Sequence, residues 1–199
     1  MAGNRLLQIG RQELQEIFVS VLAVALAFSL FPKEGVLFDA GVFALMLVAV
    51  GTGFVFHELG HRQVAIQYGA RASYHSWPVL LGLTLVMALV SGGGIVFAAP
   101  GAVYIYGRRL SLEQYGRVSL AGPAVNLILS LLFLALLLAG APFSGLWFFC
   151  GKVNALLGLF NLIPFAPFDG SKVFAWSKKA WAGAALLLLA VQFIFSLAA

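Results

Sequence analysis

FVFHELGH, residues 54–61, sets two histidines and a glutamate inside an apolar run. His57 and His61 are four positions apart, so a helix carries both imidazoles on one face, where they can grip one metal ion. Glu58 follows directly, beside that face. A carboxylate there can take a proton from an activated water and later hand it on. With three His in 199 residues, H-E-x-x-H arises by chance in about one such sequence per thousand. The alternative is a pair of helix-end histidines bonded to backbone, with Glu58 a solvated interfacial charge. Against it, burying these groups near lipid costs several kcal/mol unless they are paired or coordinated.

The surroundings of the motif place it in a membrane. The chain is 62% hydrophobic and only 10% charged, with a mean hydropathy of +1.00. Average globular chains carry about 25% charge, so we expect one integral membrane domain over residues 1–199 with its surface in the lipid bilayer. The net charge of +5 does not indicate nucleic acid, because the basic residues lie scattered between apolar blocks and read as topology signals. The single cysteine, Cys150, reads as a small packed side chain. The first fourteen residues are mixed polar and no small-x-small exit follows them, so we expect no cleaved signal peptide and a first span that is retained.

A hydrocarbon layer of about 30 Å takes about 20 helical residues. On that ruler residues 1–14, with Arg5, Arg11 and Glu13, form an interfacial lead-in to an apolar run at 17–31, and residues 32–35 are a polar turn. A second run at 36–68 ends with the motif, and 69–77 is a short polar link. The block 78–107 is broken by Ser91-Gly92-Gly93-Gly94 and Ala99-Pro100-Gly101. Its pieces suit a re-entrant hairpin, since irregular backbone is tolerated at membrane depth where it lines a cavity. The valines and aromatics at 95–106 also permit short strands. Ser111 with Gln114 has capping-box spacing and starts a helix to about 138. Apolar runs at 146–163 and 174–197 flank a Pro-broken stretch at 164–170. The expected fold class is therefore an all-α polytopic membrane protein: five to six transmembrane helices with a small membrane-embedded re-entrant or β-strand segment after the metal-binding helix.

Charge gives this layout a side. If the N-terminus is cytoplasmic and 78–107 returns to the side it left, Arg5, Arg11, Arg62, Arg71, Arg108, Arg109, Arg117, Lys172, Lys178 and Lys179 fall inside, and Lys33 and Lys152 outside. That is the bias expected of a multi-pass protein in the cell membrane with its N-terminus and active site toward the cytoplasm.

Zinc is the default metal, because two imidazoles and a carboxylate with an open water position form a common catalytic set. Among the other acids, Glu13, Glu16, Glu34, Asp39 and Glu113 sit at predicted ends or loops. Only Asp169 lies in an apolar, Pro-broken segment that could aim a carboxylate inward; the alternative for it is a simple helix N-cap. Asn126, after Gly122-Pro123, is either an active-site hydrogen-bond donor to substrate or a polar contact between helices. His75 reads as an interfacial loop residue, and Gly51 and Gly53 as close helix packing.

The motif HELGH at 57–61, joined with NLIPFAPFDG at 161–170, resembles the site-2 protease family of intramembrane zinc metalloproteases in a minimal form without PDZ or CBS domain. The likeness covers the core from about residue 41 to 172. Phe168 stands where the family usually has Leu, which is equally apolar. The resemblance implies that His57, His61 and Asp169 bind one catalytic zinc ion, that Glu58 is the general base, and that Asn161 helps hold the substrate backbone. It also implies a strand in block 78–107 to which an extended substrate adds. The expected activity is hydrolysis of a peptide bond within or near the cytoplasmic end of a transmembrane helix of a single-span protein; such a helix must first unwind, since its amides are bonded internally. The rival is a non-catalytic metal-binding membrane protein or a metal transporter using the same cluster. Transport predicts further ligands along a path, and an inactive homologue would be expected to lose Glu58. The oligomeric state and the substrate's identity are not written in the sequence.

Overall fold

The apolar runs become helices wherever no Gly or Pro cluster interrupts them. The computed structural model describes residues 9–30, 38–94, 96 and 100–198. The turn expected at 32–35, the start of the lead-in with Arg5, and part of the segment 95–99 lie outside those residues. Helices α1 (Arg11–Ser29) and α2 (Ala40–Gln67) are followed by strand β1 (Arg71–Ser76), helix α3 (Pro78–Val90) and strand β2 (Gly101–Tyr106). Helices α4 (Leu112–Leu138), α5 (Ser144–Asn161), α6 (Asp169–Trp176) and α7 (Lys178–Leu197) complete the order.

The helix starts obey local chemistry. Asp39 accepts from the Val42 amide at 2.9 Å and caps α2. Ser111 and Gln114 form the expected capping box on α4, a device worth about 1 kcal/mol. α1, α2, α4 and α7 are long and apolar enough to cross a membrane. The fifth expected span, α5, has 18 residues, but Lys152, Asn154 and Asn161 make it less apolar than those four.

Two elements depart from expectation. The polar link at 69–77 is strand β1, paired antiparallel with β2 in the register Arg71↔Tyr106 to Ser76↔Gly101. The last helix is two: α6 ends at Trp176, and Ser177, in extended backbone, caps α7 by accepting from the Ala180 amide at 3.2 Å. Block 78–107 is a 13-residue helix plus a strand. The Trp77 amide donates to the Pro100 carbonyl at 2.8 Å, so the α3 excursion leaves and returns at one end of the sheet.

Successive long helices pack antiparallel. Glu13 near the start of α1 meets Arg62 near the end of α2. Arg108, just before α4, donates to the Tyr68 carbonyl at the end of α2. Gly60 on α2 lets the Ala121 carbonyl of α4 approach to 3.0 Å of where a Cβ would stand. Gly53, expected at a close contact, has Leu157 of α5 at 2.8 Å from that position, whereas Gly51 has only Val21 at 3.6 Å. The core joins α1, α2 and α5 around Val24, Val50, Phe54, Cys150 and Leu157. Cys150 is buried there as expected. Tyr74 of β1 reaches into this core, its hydroxyl 2.9 Å from Ser20 Oγ. Burial pushes the Tyr74 phenol above its ordinary range.

Candidate metal centre

One helical turn of α2 brings His57 and His61 together, their ring centroids 4.6 Å apart and nearly perpendicular. Each ring is pinned through Nδ1. The Val118 carbonyl can only accept, so His61 Nδ1–H donates to it at 2.8 Å. His57 Nδ1 lies 2.6 Å from Asn126 Oδ1 and donates likewise. Both Nε2 lone pairs are thereby turned inward, 3.0 Å from one another.

Asp169 completes the set from 112 residues away. The chain leaves α5 at Asn161 and passes through Pro164 and Pro167. It is then anchored by buried Phe168, packed edge-on against Phe160 and Phe165. Trp181 of α7 donates to the Leu162 carbonyl at 2.6 Å and holds the same stretch. Asp169, the first residue of α6, does not cap that helix. Its Oδ2 lies 3.3 Å from His57 Nε2 and 3.0 Å from His61 Nε2, and Lys172 Nζ lies 3.7 Å from its Oδ1.

The donor set fits a cation. Two imidazole lone pairs and a carboxylate oxygen converge with both ring protons committed elsewhere; such electron pairs repel one another unless a positive centre lies among them. Gly122 of α4 leaves the room, since a Cβ there would lie 2.5 Å from both Nε2 atoms. Among the described residues this is the one group of three His, Cys, Asp or Glu side chains placed to hold a metal.

Glu58 borders the same space. Its Oε2 is buried and has no hydrogen-bond partner among the described residues. It shares with His57, His61, Asp169 and Asn161 the lining of a cavity of about 370 Å³. Asn161 Nδ2 donates to the Leu157 carbonyl of its own helix at 3.0 Å. Asn126 is fully buried and is not part of the cavity lining; it bridges His57, Gly53 and Asn154. His75 is in β1, where Ser73 and Glu16 contact it, and takes no part in the cluster.

Residues 101–105 form one wall of the cavity, and the edge they present follows from the register. The amides of Tyr74 and Ser76 donate to Glu13 and Glu16 of α1 at 3.0 and 2.8 Å, so these residues face away from β2. Their partners Val103 and Gly101, and Ile105 two positions on, must face outward too. The outer edge of β1 is thus covered by α1, while among the described residues no strand pairs with the outer edge of β2, whose residues line the cavity. The sequence reading missed this use of Glu13 and Glu16, and it missed Asn154, a lone amide in the apolar run at 146–163.

The model of peptidase family M50 matches residues 45–143. A protein of Methanocaldococcus jannaschii named "Putative zinc metalloprotease MJ0611" is 41% identical over 185 residues, 92% of this chain and 93% of that one. The chain belongs to peptidase family M50. Similar proteins also include a Mycolicibacterium smegmatis protein named "Putative zinc metalloprotease Rip2", 32% identical over 77% of this chain and 67% of its own. The zinc metalloprotease MJ0392 of M. jannaschii is 28% identical over 81% of this chain and 40% of its own. No solved structure matches the chain. Membership in M50 makes the protein a metalloprotease, in agreement with the site-2 protease likeness of its two motifs, and its apolar helices agree with a place in a membrane.

Proposed function

We propose that this M50 protein is an intramembrane zinc endopeptidase that cuts a single-span membrane protein within or near the cytoplasmic end of its transmembrane helix. The observation that carries the reading is a single cavity bounded by His57, His61 and Asp169, by unpartnered Glu58, and by the open edge of β2. His57, His61 and Asp169 would hold one zinc ion. When bound, zinc supplies Lewis acidity toward the scissile carbonyl and the attacking water.

The chain's own residues do the rest. Glu58 takes the proton from the attacking water and delivers it to the departing amide nitrogen. Val118 and Asn126 hold the imidazoles in the tautomer that leaves Nε2 free. An unwound substrate segment pairs with the outward backbone groups of Gly101, Val103 and Ile105, which replaces part of the internal hydrogen bonding that a helix gives up in lipid. Asn161, which lines the cavity, would contact the substrate backbone. We read residues 1–199 as one membrane domain with its catalytic core at about 41–172. In this reading α5 is a fifth crossing whose polar residues face protein, and the N-terminus is cytoplasmic.

The test is cleavage of a single-span substrate in detergent by wild type and Glu58→Gln, with bound zinc measured in both. The variant is expected to keep its zinc and to lose about 10²- to 10⁴-fold in rate. Equal cleavage by the two would overturn the reading. A transporter would need further ligands along a path, and the described residues hold only this one cluster.

A further inference from the structure

Asn126 on α4 and Asn154 on α5 are both fully buried, and neither lines the cavity. Their orientation can be worked out from groups that have only one hydrogen-bonding role. The Gly53 carbonyl accepts and never donates, so the Asn126 group 3.0 Å from it is Nδ2. That same Nδ2 donates to Asn154 Oδ1 at 3.1 Å. Asn154 is keyed in turn, because its own Nδ2 donates to the Cys150 carbonyl at 2.8 Å. The oxygen of Asn126 is therefore left for His57, whose Nδ1 at 2.6 Å must carry the proton.

We infer that Asn154 and Asn126 form a positioning relay that sets the metal affinity of His57 by fixing its tautomer. The inference rests on the metal-centre reading above and adds two residues to it. Were the Asn126 amide reversed, its NH₂ would oppose the Nδ1 proton of His57. The ring would then move that proton to Nε2, where it blocks the lone pair a metal needs. Gly53 and Asn154 together make the reversal costly, since each would be left facing an oxygen. Ser130 on the next turn of α4 donates to the Gly151 carbonyl of α5 at 2.8 Å, which fixes the two helices at the same level.

The experiment measures the zinc dissociation constant of the full chain in detergent by competition with a chromophoric chelator, together with the melting temperature of each metal-free variant. Asn126→Leu removes the acceptor and is expected to weaken zinc binding by about 10- to 100-fold. Asn154→Ala is expected to weaken it in the wild-type background and to change it less than about 2-fold when combined with Asn126→Asp, because a carboxylate presents an oxygen to His57 whichever way it is turned. A role in packing alone would give the same loss in both backgrounds, and that result overturns the relay, as does unchanged zinc binding by Asn126→Leu. If Asn126→Leu does not fold, the two-background comparison decides. A wild-type chain that binds no zinc defeats the metal-centre reading and the relay with it; wild-type binding with additive effects defeats the relay alone.

Discussion

A methyl group at Gly122 would stand 2.5 Å from both His57 Nε2 and His61 Nε2, in the space an ion would occupy. The imidazoles cannot turn aside, because Val118 and Asn126 hold their Nδ1 atoms. Gly122→Ala is therefore expected to bring bound zinc to background in an elemental assay, whereas Gly183→Ala, with nothing within 4 Å, leaves it unchanged. Zinc retained by Gly122→Ala would show that the ion lies elsewhere. At this scale most of the site could be read in the sequence. The spacing of His57 and His61 is a property of any helix, and Asp169 was the one acid in a Pro-broken apolar stretch. The relay through Asn154 could not be read, because nothing in a sequence says which face of α5 meets α4; the only clue was an amide among apolar neighbours. Asn126, left open between two roles, is bonded to His57, Gly53 and Asn154 and does not line the cavity.

At the scale of elements, the legible parts are those whose signals are local. The capping box at Ser111 and the long apolar runs specify α2 and α4 from within. Strand β1 has no such signal: its sequence RASYHS is small and polar, and it becomes a strand through a partner 25 or more residues downstream and through two carboxylates of α1. The break between α6 and α7 is hidden for a similar reason, since Ser177 is neither Gly nor Pro. The α1 attachment can be tested. Arg62 Nη1 lies 2.6 Å from Glu13 Oε1, with both side chains nearly buried, at 8% and 11% exposure, and Glu13 also accepts the Tyr74 amide. Removing one member of a buried pair costs about 3–5 kcal/mol, whereas replacing both with apolar groups is often close to neutral. Glu13→Ala should therefore lower the melting temperature in detergent more than Glu13→Ala combined with Arg62→Leu. A double variant less stable than either single would show that the pair is a net stabiliser.

For the whole molecule the open question is which side the metal centre faces. α2 is 28 residues long, about 42 Å of helix, and exceeds a hydrocarbon core of about 30 Å. His61 lies six residues before Gln67, so it is about 9 Å of helix from that end. The antiparallel contacts gather the end of α2, the start of α4, α6 and the start of α7 at that same level. Arg71, Arg108, Arg109, Lys172, Lys178 and Lys179 are all found in or beside those segments. Lys152, on α5, directs its Nζ over the Phe148 ring, 5.3 Å from its centroid, toward the opposite end. Positive residues are retained on the cytoplasmic side, so the topology proposed above puts the metal centre nearer the cytoplasm. Three exposed positions report on this. In a chain carrying Cys150→Ala, Pro142→Cys between α4 and α5 should react with a membrane-impermeant maleimide on intact cells. Arg109→Cys and Lys178→Cys should react only after the membrane is opened. Labelling in the reverse order would invert the topology and send the products of cleavage to the other side of the membrane.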